Sequence, residues 1–157
     1  MPDIVDTETR SRMMAGIRGK DTKPEMAVRR GLHQLGFRYR LHDRRLPGKP
    51  DLIFSRFRAV VLVHGCFWHG HDCPLFKWPS SRIDFWRDKI EGNRARDART
   101  SHLLDDAGWR IMTVWECALK GRGCKNESDV VQAVASWLTT GTGNSEIRGA
   151  EKWQPPI

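Results

Sequence analysis

The segment HGCFWHGHDC (64–73) places three histidines and two cysteines within ten residues, around the adjacent aromatic residues Phe67 and Trp68. Large aromatic side chains usually pack inside a core, whereas clustered cysteine and histidine side chains are typical of metal sites. A loop of this length cannot easily bury two adjacent aromatic side chains by itself. The segment therefore predicts a loop that a metal ion holds in shape and that exposes its aromatic side chains.

Four ligands of the cysteine or histidine type complete a tetrahedral zinc site. Three of them lie close together in this loop, at Cys66, His71 and Cys73. For the fourth, Cys117 is favoured because it directly follows a predicted strand, while Cys124, in a glycine-rich loop, remains the alternative. Taken singly, each cysteine could be a small buried side chain and each histidine a surface residue, but their clustering favours a metal site. Four such ligands leave no open position for water, which predicts a structural zinc and places any catalysis elsewhere.

The charge of the chain indicates a polyanionic partner. Its 157 residues suit one domain and carry a formal net charge of +8, which favours nucleic acid binding. Most of the seven tryptophans are expected in the core, but some could stack on or insert between bases. No apolar run reaches the length of a membrane span and no signal-peptide pattern is present, so we expect a soluble cytoplasmic protein without membrane contact. In that reducing compartment, four cysteines favour metal binding over disulfides.

Hydrophobic periodicity predicts an α/β domain with a mixed central sheet and helices on both faces. Asp21 or Thr22 is expected to cap the second helix, and Ser80 or Ser81 the third. From Thr139 the chain loses its periodicity, and we expect a mobile tail there. Predicted strands cover 37–43, 51–54, 59–65 and 109–116; predicted helices cover 7–19, 21–36, 80–91 and 128–138, with a further helix or a continuation of the third over 93–108.

A second candidate site lies where two predicted strands meet. Asp51 opens one strand and His64 ends the next, so a hairpin would bring them to one end of the sheet. A carboxylate, a backbone carbonyl and waters suit Mg²⁺, and a nearby histidine could activate a water for attack on phosphorus. Simpler interpretations stay open: Asp51 could be a turn residue, His64 a hydrogen-bonded strand-end histidine, and Glu25 a first-turn helix carboxylate.

Four further features of the sequence are the segments PGKPD (47–51), HGCFWHGHDC (64–73), DFWRDKIEGNRARD (84–97) and GWRIMTVWECALKG (108–121). Together they resemble the very-short-patch-repair (Vsr) endonucleases, over about residues 6 to 138. The N-terminal RSRMMAGIRGKDTKPE (10–25) also fits that family's pattern. The resemblance implies a restriction-endonuclease-like fold, a catalytic magnesium and a structural zinc. It also implies an enzyme that nicks the strand 5′ of the T in a G·T mismatch left by deamination of 5-methylcytosine.

The resemblance also implies roles for individual residues. Asp51 matches the magnesium ligand of the family, and Val63 would add its backbone carbonyl. His69 matches the main catalytic histidine, with support from Glu25 and His64, and Asp97 matches an acidic residue nearby. The implied zinc ligands are the four residues chosen above from their clustering, namely Cys66, His71, Cys73 and Cys117.

The aromatic residues receive a role by the same resemblance. Phe67, Trp68 and Trp86 would insert beside the mismatch from the major groove, and Met14 from the minor groove. A mismatch is already poorly stacked, so opening it costs less than opening a paired step. Lys89 and Asn93 lie near positions that the family uses for DNA contact. Core packing remains the alternative for each aromatic side chain.

The implied organisation is a DNA-contacting arm over 1–20, an endonuclease domain over 21–138 and a mobile tail over 139–157. The expected partner is double-stranded DNA with a G·T mismatch, bound by a monomer, with mismatch-repair proteins and a DNA polymerase as further partners. Two other functions stay open at this point. One is a zinc-stabilised DNA-binding module without catalysis, and the other is a restriction-type nuclease that cuts both strands.

Overall fold

A five-stranded mixed sheet organises the structure, a computed structural model that describes residues 21–150. The predicted helix over 7–19, with Met14, and the segment 151–157 lie outside the described residues. The strands are β1 (Arg40–Leu41), β2 (Leu52–Phe54), β3 (Ala59–His64), β4 (Arg110–Trp115) and β5 (Ser145–Ile147); the helices are α1 (Lys23–Gln34), α2 (Ile83–Asp106) and α3 (Glu127–Thr140).

The strands lie in the order β1-β2-β3-β4-β5. The first two pairings are antiparallel and the last two are parallel, which confirms the predicted mixed sheet. The β3–β4 pairing is the longest, and runs from Ala59 opposite Arg110 to His64 opposite Trp115. The carboxyl ends of β3 and β4 therefore meet, so the segments that follow both strands start side by side.

Helices cover both faces of the sheet, as predicted. Because strand side chains alternate between faces, Val61 of β3 joins one core cluster while Val60 joins the other. On the first face, α1 and α3 contribute buried side chains such as Leu32 and Val134. On the second face, Leu104 of α2 packs with β-strand residues. The described residues thus form a mixed α/β domain with both faces of the sheet covered.

Helix α1 begins and ends where its sequence predicts. The Thr22 hydroxyl accepts a hydrogen bond from the Glu25 backbone N–H at 3.3 Å, so Thr22 is the cap and Pro24 lies in the first turn. Gly36 follows the helix with a φ of 96°, which favours glycine. Glu25 is only 1% exposed, which is unusual for a first-turn carboxylate.

The first predicted strand is much shorter than expected. Of 37–43, only Arg40–Leu41 pairs as β1. Phe37 and Tyr39 instead pack against the Phe54 ring, with centroids 6.2 and 5.6 Å away. The Tyr39 hydroxyl also donates to the Arg29 carbonyl of α1 at 2.8 Å. The contacts with Phe54 and α1 hold residues 37–39 away from β-strand pairing, although their alternating pattern is that of a strand.

The two helices considered for 80–108 form one helix, α2. The alternative that Asn93 continues the third helix is therefore confirmed, while the prediction of a serine cap is wrong. Arg82 occupies the cap position with a left-handed φ of 54°, and its guanidinium lies 4.4 Å from the centre of the Phe85 ring. This stacking of a cation on an aromatic ring offers a physical reason for the unexpected helix start.

The segment after Thr139 differs from the expected tail. Helix α3 extends to Thr140, and β5 adds a strand along the edge of β4, with Ile147 buried. The Asn144 side-chain carbonyl accepts a hydrogen bond from the Ile111 backbone N–H at 2.9 Å just before β5. Three residues are too few to show a period, and the strand forms because the edge of β4 offers hydrogen-bonding groups. No helix within residues 21–150 has the length and hydrophobicity that crossing a membrane requires.

Gly31, where α1 meets α3, generates the first prediction. An added Cβ would lie 2.5 Å from a Val131 methyl carbon, so Gly31→Ala should overpack this contact. Overpacking costs about 1–3 kcal/mol, which outweighs the gain of about 1 kcal/mol in helix propensity. Chemical denaturation should show a net loss of about 1 kcal/mol in the free energy of unfolding.

The matched control is Gly92→Ala in α2, where an added Cβ would come no closer than 3.6 Å to the Arg96 side chain. That variant should be as stable as the wild type or more stable. Equal stabilisation by both substitutions would mean that α1 and α3 do not meet as closely as the structure shows.

Candidate metal centres and an aromatic groove

Four buried side chains converge just beyond the ends of β3 and β4. One donor atom from each lies within 4.8 Å of the donor atoms of the others. This convergence confirms the predicted cluster and selects Cys117, because Cys124 is exposed. The members are Cys66, His71, Cys73 and Cys117.

The spacing of this cluster suits a tetrahedral ion. The Nδ1 atom of His71 lies 3.6 Å from both the Cys66 and the Cys117 Sγ atoms. Ligands about 2.3 Å (sulfur) and about 2.0 Å (nitrogen) from a zinc ion at the tetrahedral angle would be about 3.6 Å apart. Burial raises the pKa of the Cys66 and Cys117 thiols, so a positive ion is needed to release their protons at neutral pH. The donor set and its spacing therefore fit zinc.

Several neighbouring groups hold the ligands in place. The Cys117 backbone N–H donates to the Cys66 Sγ at 3.3 Å, and the Cys66 N–H donates to a Glu116 carboxylate oxygen at 3.1 Å. The Trp115 ring stacks on the His71 imidazole, with centroids 3.8 Å apart and planes at 7°. Neither Glu116 nor Trp115 is predictable as part of this site, because single residues that flank a ligand carry no spacing pattern.

The second site forms where the start of β2 lies beside the end of β3. One carboxylate oxygen of Asp51 accepts a hydrogen bond from the Val63 backbone N–H at 2.7 Å. The β2–β3 register, continued by two residues past Val61, places Pro50 opposite Val63. Because proline has no N–H, Pro50 cannot donate the ladder hydrogen bond to the Val63 carbonyl. That carbonyl and the Asp51 carboxylate are oxygen donors of the kind Mg²⁺ prefers.

Burial shapes the chemistry of Asp51. It raises the pKa of the Asp51 carboxyl to about 8, against the lowering effect of the Val63 N–H. A cation beside the carboxylate would favour its charged form. Asp51 lines a pocket of about 180 Å³ together with Val63, His64, His69 and Asp97. The predicted magnesium ligand and three predicted catalytic residues therefore share one pocket.

His64 and His69 stack in parallel within this pocket, with ring centroids 3.8 Å apart and planes at 3°. The Nδ1 atom of His69 is hydrogen-bonded to an Asp97 carboxylate oxygen. Burial lowers the pKa of His64 to about 4, so this imidazole is neutral at neutral pH. Its Nδ1 atom is buried and has no hydrogen-bond partner among the described residues.

The His42 imidazole lies between Glu25 and Asp51. No motif or spacing in the sequence indicated a role for His42. The His42 Nε2 atom lies 3.0 Å from one Glu25 carboxylate oxygen and 3.7 Å from an Asp51 carboxylate oxygen. The Arg29 guanidinium also donates a hydrogen bond to the Glu25 carboxylate, at 2.9 Å. Glu25 is therefore the partner of two basic side chains and also lies directly beside Asp51, where its charge and its side-chain hydrogen bond add to the raised pKa of the Asp51 carboxyl.

A groove of about 1050 Å³ adjoins the Asp51 pocket and shares four of its lining residues, His64 and His69 among them. Its aromatic wall is a set of mutually packed rings, in which Phe67 lies 5.3 Å from Trp68 and 5.4 Å from Trp86 between centroids. All three side chains are half-buried, so core packing does not account for them fully. Phe76, which no prediction included, extends the set at 6.1 Å from Phe67.

The two polar residues predicted to contact DNA also line the groove. Lys89 is exposed, as a phosphate-binding lysine requires. Asn93 is half-buried, and its side-chain amide donates to the Trp68 carbonyl at 2.8 Å. Asn93 therefore holds the aromatic loop in place, a role that its position in the sequence did not indicate. Met14, the remaining predicted contact, lies outside the described residues.

The chain is similar to a known family over most of its length. Residues 2–75 match the family model described as DNA mismatch endonuclease Vsr. The chain is 39% identical over 147 residues to the DNA mismatch endonuclease Vsr of Escherichia coli (strain K12), covering 94% of each chain. It is 50% identical over 123 residues to the type II nicking enzyme V.XorIIP of Xanthomonas oryzae pv. oryzae, covering 78% of this chain and 90% of that one. A third relative, the type II nicking enzyme V.NmeAIP of Neisseria meningitidis serogroup A, is 45% identical over 127 residues, covering 81% and 91%.

The metal centre generates the second prediction. Cys117→Ser should leave the purified protein with little zinc and a lower melting temperature, because a closed site contributes to folding directly. Cys124→Ser is the matched control and should keep both unchanged, since Cys124 is exposed and outside the cluster. Metal analysis and thermal melts decide, and zinc loss from the Cys124 variant alone would remove Cys117 from the site.

Proposed function

The chain belongs to the Vsr family of DNA mismatch endonucleases, and we propose that it is a Mg²⁺-dependent enzyme that nicks the strand 5′ of the T in G·T mismatches. Such mismatches arise by deamination of 5-methylcytosine, and the nick would start very short patch repair. One observation carries the proposal: the pocket of Asp51, His64, His69 and Asp97 lies beside a groove walled by three mutually packed aromatic rings. The pocket supports phosphodiester hydrolysis, and the groove supports recognition of a poorly stacked site.

In this proposal the Asp51 carboxylate and the Val63 carbonyl hold the magnesium ion. Their support is the buried carboxylate and the carbonyl that Pro50 cannot partner. Bound there, Mg²⁺ would act as a Lewis acid that stabilises the charge developing on the scissile phosphate. The Val63 N–H keeps the Asp51 carboxylate oriented toward the pocket through its hydrogen bond of 2.7 Å.

His69 acts as the general base toward the attacking water. The Asp97 carboxylate accepts a hydrogen bond from the Nδ1–H of His69. The Nε2 atom of His69 then carries the lone pair that can receive a proton from water. The same carboxylate would stabilise the imidazolium once the proton has moved. Neutral His64, stacked on His69, keeps that ring in place.

Glu25 supports the site from behind. His42 lies between Glu25 and Asp51, and Arg29 neutralises part of the charge of Glu25. This arrangement would hold the magnesium ligand at a defined distance from the histidine pair. The hydrogen bonds between Glu25 and His42 support a role for Glu25 beside the magnesium ligand.

Recognition of the mismatch falls to the aromatic wall. Phe67, Trp68 and Trp86 would insert beside the mismatched pair from the major groove, and Met14 from the minor groove. Lys89 and the net charge of +8 support binding to phosphates. Because a G·T pair stacks poorly, insertion there costs less than insertion at a paired step.

The remaining proposals concern the frame around the site. The mixed sheet with helices on both faces is compatible with a restriction-endonuclease-like fold, and the metal centre would hold a structural zinc. Buried thiol ligands suit the reducing cytoplasm. We expect a monomer on DNA, an N-terminal arm over 1–20 that contacts DNA, and mismatch-repair proteins and a DNA polymerase that act on the nick.

The third prediction tests the magnesium ligand. Asp51→Asn keeps an acceptor for the Val63 N–H but loses the charge, so the fold should persist. Nicking of a G·T duplex should fall by about 100-fold or more, since several kcal/mol of charge stabilisation are lost, while binding to the same duplex is retained. Single-turnover nicking, titrated with Mg²⁺, and gel-shift binding measure the two effects.

The control for charge loss is Asp105→Asn on the exposed side of α2, which should nick at the wild-type rate. A wild type that nicks without a divalent ion, or an Asp51→Asn variant within a few-fold of it, would contradict the proposal. Two further outcomes select the alternatives. Binding without any nicking favours a non-catalytic module, and cutting of both strands in fully paired DNA favours a restriction-type nuclease.

The fourth prediction tests the aromatic wall through Trp68→Ala. Stacking of an aromatic ring on a base contributes about 1–3 kcal/mol, so affinity for a G·T duplex should fall about 10- to 100-fold. Binding to paired duplex depends on phosphate contacts and should barely change. Fluorescence anisotropy with both duplexes, at several salt concentrations, measures the difference.

Trp109→Ala is the contrasting variant, because Trp109 is buried in the core beneath α2. It should lower the melting temperature and reduce both kinds of binding together. The same pattern in Trp68→Ala would show that Trp68 packs the fold and does not insert into DNA.

A further inference from the structure

The residues after α3 return to the metal centre. Strand β5 runs parallel to β4 and is directed toward the same end of the sheet as the four ligands. Three residues of the segment Glu146–Gly149 then contact a ligand of the centre or a neighbour of a ligand. We refer to these four residues as the C-terminal clasp.

Gly149 makes the most direct contact. Its backbone N–H donates to the Cys117 Sγ at 3.3 Å, and Cys117 is one of the four ligands. A Cβ added at Gly149 would lie 2.3 Å from the Cys117 carbonyl oxygen, closer than real structures allow. The backbone can approach the ligand this closely only because residue 149 is glycine.

Arg148 fixes the part of the loop that carries two further ligands. Its guanidinium donates to the Asp72 carboxylate and to the Asp72 backbone carbonyl, both at 2.8 Å. Asp72 lies between His71 and Cys73, so this paired contact restrains both ligands at once. Arg148 itself is half-buried, which favours a defined geometry over a mobile surface ion pair.

Glu146 contacts the centre indirectly, through the side chain of Trp115. Its carboxylate accepts a hydrogen bond from the Trp115 indole N–H at 3.0 Å. The Trp115 ring in turn stacks on the His71 imidazole at 3.8 Å. The clasp thus touches or restrains the surroundings of all the ligands except Cys66, which the Cys117 N–H supports from within the centre.

We propose that the C-terminal clasp is the outer coordination shell of the metal centre and controls how long the ion is retained. The proposal rests on the metal centre binding zinc. Three thiolates and one imidazole around a divalent cation carry a net charge of −1. The Gly149 N–H and the Arg148 guanidinium of the clasp stabilise this negative charge. Outer-shell partners of this kind orient ligands and typically change metal affinity by about 10- to 100-fold.

The proposal has a structural consequence for the end of the chain. Because β5 pairs with β4 and the clasp touches the centre, metal loss should loosen both ends of this contact together. Residues 145–149 are then part of the metal site, although they share no motif with the loop that provides three of its ligands.

The experiment compares full-length variants in their zinc- and cobalt-loaded forms. Arg148→Gln removes the ion pair with Asp72, and Gly149→Ala pushes the backbone N–H away from the Cys117 Sγ. Arg30→Gln on the exposed side of α1 is the control for charge loss. Val134→Ala, on the buried side of α3, is the control for a loss of stability at a position away from the metal centre. Zinc release to a chelating dye and the absorption spectrum of the cobalt-loaded protein are measured well below every melting temperature.

We expect Arg148→Gln to release zinc about tenfold faster than the wild type, and Gly149→Ala to do so with a shifted thiolate-to-cobalt absorption band. Arg30→Gln and Val134→Ala should release zinc at the wild-type rate and keep the wild-type spectrum. Wild-type release rates and spectra in both clasp variants would overturn the proposal. Release that only follows the melting temperature, and is therefore equally fast in Val134→Ala, would overturn it too, since the clasp would then stabilise only the fold.

A failure of the underlying assignment would look different. If the wild type contained no zinc and bound no cobalt, the metal centre itself would be wrong and the clasp with it. DNA nicking is not part of this test, so its outcome does not depend on the proposed catalytic residues.

Discussion

The parallel pairing of β3 with β4 is the constraint on which the rest of the structure depends. It matches the two strands residue for residue up to His64 and Trp115, so the chain leaves both strands at the same edge of the sheet. The long loop after β3 and the short turn after β4 then share one space, where their cysteine and histidine side chains meet. Because β2 is antiparallel to β3, its first residues lie at this edge as well, and Asp51 arrives beside the end of β3.

Those parts of the fold whose signal is local could be predicted from the sequence. The continuous apolar runs of β3 and β4 indicated buried strands, and the position of Cys117 directly after β4 was enough to prefer it over Cys124. The cap of α1 is narrowed to Asp21 or Thr22 in the same way, and the Thr22 hydroxyl makes the capping hydrogen bond. In each case the physical cause lies within a few residues of its effect.

The parts that escaped prediction depend on contacts between distant segments. Strand β5 has only three residues, and it forms because β4 offers an edge and Asn144 anchors the approach to it. His42 reaches Glu25 across 17 positions of the chain from a left-handed backbone conformation, with a φ of 46°. Neither leaves a periodic pattern, so only the folded chain reveals them.

The aromatic side chains illustrate a compromise that composition cannot express. A fully buried tryptophan could not reach DNA, and a fully exposed one would lose conformational entropy on binding. Phe67, Trp68 and Trp86 are each half-buried against one another, and the Asn93 amide fixes the backbone between them. Such a wall is ordered in the free protein, and its rings still present surface to the groove.

The two neighbouring histidines of the loop are separated by one backbone position. Gly70 has a left-handed φ of 59°, and a Cβ there would lie 2.7 Å from an Ile90 methyl carbon of α2. The chain therefore turns at Gly70 in a way that a larger residue would resist. On one side of the turn His69 pairs with Asp97, and on the other His71 joins the thiol cluster. A left-handed glycine packed against α2 is thus what allows one short loop to serve a closed metal centre and an open pocket at once.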